Sequence, residues 1–193
     1  MDHSSSIDIR TKRPALIVVD MQRRYAVGDM ASASDILPNV NGASELFRKA
    51  GLPVVMVKMK GKGHGTPEWL ADPEGFIDGL VVRDSDILVE KREMNAFCGT
   101  GLSDILRNTG SDSVVICGVV AKWCVIATYF GAFEHGFMPY LLKDGTASFD
   151  PEHVPHVEAI CKTVDLDGLR QVPALRPLRR TFLFYRQKAW PAP

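Results

Sequence analysis

The sequence has few cysteines, no net charge and no apolar run among its first residues, and each shortage argues against a class of protein. Its four thiols are Cys98, Cys117, Cys124 and Cys161. They form no C-x-x-C pair and no cysteine/histidine grouping at zinc-finger spacing, which argues against a structural metal knot; a reducing compartment suits them better than a disulfide framework. Lys plus Arg and Asp plus Glu both total 23, so the molecule as a whole has no positive field to collect nucleic acid or an anionic membrane. Any charged ligand must be met by a local patch. Met1 to Arg13 is polar and Ser-rich without an apolar h-region, so a secretory signal is not expected and the expected location is cytoplasmic. No internal repeat is visible.

What is present suits one globular domain. The chain has 193 residues, 46% apolar and 24% charged, with 16 Gly and 12 Pro, a balance that excludes disorder and collagen-like repeats. Val114 to Phe133 is nearly all apolar and about long enough to span a bilayer, yet Lys122 sits at its middle, and a mid-bilayer ammonium is costly. The β-branched run Val114, Val115 and Ile116, then Gly118, then Ala127 and Ala132 predict instead a strand, a tight turn and a buried helix.

The same alternation runs along the chain. Strands are predicted over 15–20, 53–58, 85–91, 113–118 and 138–142, with a last one near Val164. Helices are predicted over 41–50, stopped by Gly51, over 101–108, ended by Gly110, and over 124–135 and 152–162. Gly61 to Gly79 reads as a Gly/Pro-rich loop region with one helical turn opened by Thr66, Pro67 and Glu68. Apolar strands separated by helices predict a three-layer, Rossmann-like α/β sandwich, with a mostly parallel sheet of about six strands covered on both faces. The expected boundaries are a flexible N-terminal tail over 1–13, a folded domain over 14–175 and a C-terminal tail over 176–193. That last tail is basic, aromatic and Pro-rich, and is expected to pack on the surface or on a neighbouring subunit.

Ligands of such folds bind beyond the carboxyl ends of the strands. Asp20 ends the first strand, Lys91 ends the third, and Cys124 follows the turn after the fourth, where a helix is predicted to begin. A thiol at a helix start feels exposed N–H groups and the positive end of the dipole, which can draw its pKa from ~8.5 into the range of about 3.5–7.5. A carboxylate beside it could take the thiol proton and return it to a leaving group, while an ammonium holds that carboxylate. Each residue alone has a plainer reading: a turn-capping Asp, a solvated Lys, an inert core Cys. Three at three strand ends favour chemistry. Cys98, Cys117 and Cys161 are read as inert, and no signature places His64, His135, His153 or His156 beside Cys124.

Three blocks carry a family resemblance: ALIVVDMQ (15–22), VEKREMNAF (89–97) with Thr100 and Leu102, and GVVAKWCV (118–125) with Ala127 and Thr128. Their order and content resemble the signature blocks of the isochorismatase-like cysteine hydrolases, from about residue 14 to 165. The resemblance implies an Asp20, Lys91 and Cys124 triad, a cis peptide at Val119-Val120, and an oxyanion hole made by the N–H groups of Val120 and Cys124. It also implies hydrolysis of a C–N bond in a small amide, carbamoyl or ureido compound through a Cys124 thioester, and a homo-oligomer, dimer or tetramer. The chain departs from the family in having Ala121 for the usual Thr, Lys122 for an acidic or small residue, and Asn95 for Ser. The metal-binding Asp-x-His of nicotinamidases is missing from KMKGKGH (58–64), so no catalytic metal and no cofactor are expected.

Substrate contacts are expected from Arg24 or Arg23, either of which could grip a carboxylate, with Tyr25, Trp69, Phe97 and Trp123 as pocket walls. The alternatives are vinyl-ether hydrolysis of the isochorismate type, which some family members perform without the cysteine, and a catalytically silent interaction or nucleotide-binding subunit. For the latter, Gly61 to Gly65 with Lys62 would cradle a phosphate, though its G-x-G-x-G spacing is not the dinucleotide fingerprint.

Overall fold

The computed structural model describes residues 8–27, 33–61, 66 and 68–176. Among these, six strands form one parallel sheet in the order β3-β2-β1-β4-β5-β6. They are β1 (Pro14–Val19), β2 (Val54–Met59), β3 (Ile87–Lys91), β4 (Ser113–Val119), β5 (Met138–Ala147) and β6 (Thr163–Val164). The helices are α1 (Leu37–Lys49), α2 (Leu102–Asn108), α3 (Ile126–Glu134), α4 (His153–Ile160) and α5 (Leu166–Gln171).

The period of two along β1 divides the core. Leu16 and Val18 pack with Val40, Ala43 and Phe47 of α1 and Leu169 of α5. Ala15, Ile17 and Val19 point the other way, into Leu102 and Leu106 of α2, Tyr129 and Ala132 of α3 and Val157 of α4. A strand buried on both faces must be apolar throughout, and β1 is.

Strand order reverses at β1: β2 and β3 extend to one side, β4 to β6 to the other. The crevice at that reversal is where parallel sheets bind ligands. Gly118 makes it narrow: it has φ 109°, and a Cβ there would fall 2.1 Å from the Val19 carbonyl oxygen.

Several boundaries differ from expectation for local reasons. Helix α1 starts at Leu37, not residue 41, because Pro38 lies in the first turn, where its missing N–H is no loss. The helix predicted over 124–135 is a π-helical turn, Ala121–Val125, followed by α3. Strand β5 continues to Ala147 through a register shift and through Asp144 at φ 56°. The helical turn expected near 66–68 does not appear among the described residues; that region is turns, with Phe76 bridging antiparallel to Gln22. Helix α5, capped by the Asp165 carboxylate accepting from Gly168 N at 2.7 Å, was not anticipated. The folded part also reaches back past residue 14, since Ile9 lies in the core. The C-terminal tail beyond Arg176 and residues 62–65 of the anticipated phosphate cradle lie outside the described residues. No helix among the described residues is long and apolar enough to cross a membrane.

Candidate active site

Asp20 leaves β1 with its N–H donating to Val57 O at 3.0 Å. Its φ of 51° is a left-handed conformation that Asp tolerates better than most residues. Lys91 ends β3, two strands away, roughly 9–10 Å at the usual strand spacing. Its four-carbon stem crosses β2, and Nζ comes to rest 2.7 Å from Asp20 Oδ2 with both side chains almost fully buried. The same Nζ donates to Glu93 O at 3.1 Å. From the other side, the π-helical turn delivers Cys124, whose thiol comes beside both the Asp20 carboxyl and the Lys91 ammonium and feels the charge of each. The three residues expected from three strand ends are therefore in mutual contact.

The turn is closed by two donors on one acceptor. Trp123 N and Val125 N donate to Val120 O at 3.0 and 3.2 Å, so the loop forms with Ala121 in place of a hydroxyl residue. The Val119-Val120 peptide is cis, and Val120 is buried next to the thiol. Thr128 ties this segment to the lysine block: its hydroxyl accepts from Ala96 N at 3.1 Å. Asn95, the other departure, accepts from Phe97 N at 2.9 Å and occupies the space that a side chain on Gly131 would fill.

Burial pushes the Asp20 carboxyl above the ordinary carboxylate range, against the pull of Lys91 and the smaller effects of Cys124 and Arg24. The expectation of a depressed thiol is reversed. Burial first, then the Asp20 charge, push Cys124 up to about 12, with Lys91 pulling the other way. Cys124 is the fourth residue of its turn and only 5% exposed, so desolvation and a carboxylate neighbour outweigh a helix start. At neutral pH the raised value keeps the resting side chain a thiol, beside the Asp20 carboxyl. Burial alone raises Cys117, and raises Cys161 to about 11; neither shows the acid and ammonium contacts of Cys124.

A cavity of about 520 Å³ opens over Cys124. Tyr25, Trp123 and Phe149 give it aromatic walls, Met59, Met94 and Val120 add apolar surface, and Lys60, Arg92 and Glu93 carry charge. Burial first, then the charge of Asp20 and that of Cys124 where it ionises, raise Tyr25, which keeps its phenol protonated. Tyr25 and Trp123 thus stand where a substrate wall was expected.

Four expected substrate residues do not. Arg24 is buried and fully engaged, donating to Gly61 O at 2.5 Å and Pro73 O at 3.2 Å, and lying 3.4 Å from Glu74; it ties loops together instead of gripping substrate. Arg23 is likewise paired, with Asp72 and Asp78. Phe97 is core, stacked on His135 and Phe137 at 4.9 and 6.0 Å, because Ala96 and Phe97 alone turn inward from an otherwise exposed or half-buried β3–α2 connection. Trp69 is 75% exposed and does not line the cavity. The residues missed, Met59, Lys60, Arg92, Glu93, Met94 and Phe149, end or follow β2, β3 and β5, so the rule that singled out Asp20 and Lys91 would have found them had it been applied to every strand.

The metal set of nicotinamidases does not fit here. Lys58 lies over the Phe76 ring at 4.2 Å and Lys60 pairs with Glu74 and Glu90, both at 3.1 Å; ammonium groups cannot ligate a cation. Among the described residues, no group of three or more His, Cys, Asp or Glu could hold a metal ion.

A buried thiol lies beside a carboxyl and an ammonium at the reversal point of a parallel sheet, where α/β folds place their ligand sites. The chain belongs to the isochorismatase family, whose isochorismatase domain matches residues 14–164. It is 30% identical over 159 residues to nicotinamidase 3 of Arabidopsis thaliana, covering 75% of this chain and 78% of that protein. It is 27% identical over 176 residues to a ureidoacrylate amidohydrolase of Pseudomonas syringae, covering 72% of each. Among solved structures, the N-carbamoylsarcosine amidase of Thermoplasma acidophilum superposes with a TM-score of 0.70 at 28% identity, over 80% of this chain and 97% of that one.

Proposed function

We propose that this protein is a hydrolase of the isochorismatase family that cleaves a C–N bond in a small amide, carbamoyl or ureido compound, with Asp20, Lys91 and Cys124 as its catalytic residues. The observation that carries the reading is the contact of the Cys124 thiol with Asp20 and Lys91, themselves 2.7 Å apart and buried. The amidase relatives and the nucleophilic sulfur both favour a carbonyl carbon over a vinyl ether.

Asp20 takes the Cys124 proton as the sulfur attacks the carbonyl carbon. With a thiol held up to about 12, transfer and attack run together, the negative charge passing to the carbonyl oxygen and not resting on sulfur. The N–H groups of Val120 and Cys124 would receive that oxygen, each such donor being worth ~2.7–4 kcal/mol in other hydrolases. Asp20 then gives its proton to the departing nitrogen, leaving an acyl thioester on Cys124. A water that loses its proton to Asp20 attacks the thioester; the acid product leaves, and the proton returns to sulfur. Lys91 holds the Asp20 oxygen in place and offsets its charge throughout.

The test is a panel of primary amides, N-carbamoyl and ureido compounds and isochorismate, assayed by ammonia or pyruvate release with wild type and Cys124→Ala. Ammonia release that falls about a thousandfold or more in the variant is expected. Undiminished turnover by Cys124→Ala would refute the reading.

A further inference from the structure

Lys122 and Trp123 face Asp150 and Phe149 in two adjoining pairs. Lys122 Nζ lies 2.5 Å from Asp150 Oδ2, and the Trp123 and Phe149 rings stand 5.5 Å apart at an interplanar angle of 57°. His153 Nδ1, at the start of α4, is 3.2 Å from the same Asp150 oxygen. The Lys122 ammonium also sits 5.5 Å from the Trp123 ring centre, within cation–π range. Together these contacts stitch the π-helical turn that carries Cys124 to the connection between β5 and α4.

The stitched rings are the cavity's aromatic wall. Trp123 is 44% exposed, so core packing alone does not fix its ring. The pair across the gap supplies the missing constraint. Asp150 stays charged for the task, since the Lys122 hydrogen bond first, then, against burial, the Lys122 charge and His153 hold its carboxyl low.

We infer that the Lys122–Asp150 ion pair is a clasp that sets the Trp123–Phe149 wall, and that this wall selects substrates whose acyl part is flat and apolar, such as an aryl or conjugated group, over branched aliphatic ones. A flat π face packs against tilted rings with a preference beyond the area it covers, whereas a branched chain stands off them. Lys122 touches no reacting atom; it acts through Trp123 and is a positioning residue. The inference rests on the reading of Cys124 as the nucleophile of a C–N hydrolase.

The experiment reads binding separately from turnover. Alkylation of Cys124 by iodoacetamide at pH 9 is followed by peptide mass mapping, with benzamide or isobutyramide as protectant, in wild type, Lys122→Ala and the charge swap Lys122→Asp/Asp150→Lys. Benzamide is expected to protect wild type at concentrations about tenfold below isobutyramide. Lys122→Ala should lose most of that preference while its unprotected alkylation rate stays within about twofold, and the charge swap should restore it. The lost pair is partly exposed, so the variant is expected to fold, and an unchanged thermal midpoint checks this. Equal protection by both amides, no protection by either, or a preference untouched by Lys122→Ala would overturn the inference. Failure of the hydrolase reading would show differently, as an absence of Cys124-dependent turnover with the protection pattern intact.

Discussion

The proposed mechanism asks Asp20 to be a base while buried beside a thiol, and its environment sets the pH at which it can be one. Burial raises its carboxyl above the ordinary range, so the base form is lost as pH falls through that raised value. The acid limb of kcat/KM is therefore expected well above ~3.9, where an unperturbed aspartate would place it, and Asp20→Asn should abolish the limb together with ~10²–10⁴ of the rate. An acid limb at or below the ordinary carboxylate value contradicts this. Lys91 is bound to the same carboxyl at 2.7 Å with no exposed surface to spare. Replacing it by Met leaves a buried carboxylate without its cation, so urea unfolding should show a loss of about 3–5 kcal/mol. Asp20→Asn combined with Lys91→Met should lose less than the sum of the two single changes, because the stranded charge is gone.

Among the elements, the turn after β4 does most to place the site, and Gly118 is its hinge. A side chain there would meet the Val19 carbonyl at 2.1 Å in a backbone conformation that favours glycine. Gly118→Ala is expected to destabilise the fold by about 3 kcal/mol and to depress activity beyond what lost stability explains; thermal unfolding and kcat on the folded fraction separate the two. The strands were legible in the sequence because a two-faced parallel strand leaves an unbroken apolar run, as in β1 and β4. The helix start at Cys124 was misplaced because a π-helical turn has no propensity signature of its own; only the bonds onto Val120 O define it. Helix α5 was missed because six residues with one acidic cap leave too short a pattern for periodicity to register.

At the scale of the molecule, strand order brings distant residues together. Asp20, Lys91 and Cys124 are separated in sequence and meet because β1 is central, β3 lies two strands away on one side and β4 adjoins on the other. That convergence was readable from the strand-exit rule and the signature blocks. The pocket walls were not, because they depend on which way loop side chains turn: Arg24 and Phe97, next to the site in sequence, turn inward to bind backbone and core, while Phe149, remote in sequence, turns toward the cavity. The proposed function turns on one chemical event, acyl transfer to Cys124. Acid quenching of wild type during turnover of a C–N substrate, followed by mass analysis of the peptide carrying Cys124, tests that event directly. The account predicts an adduct of the acyl mass on Cys124 that disappears as substrate is exhausted; a peptide that stays unmodified while Cys124→Ala turns over the same substrate at the wild-type rate would contradict it.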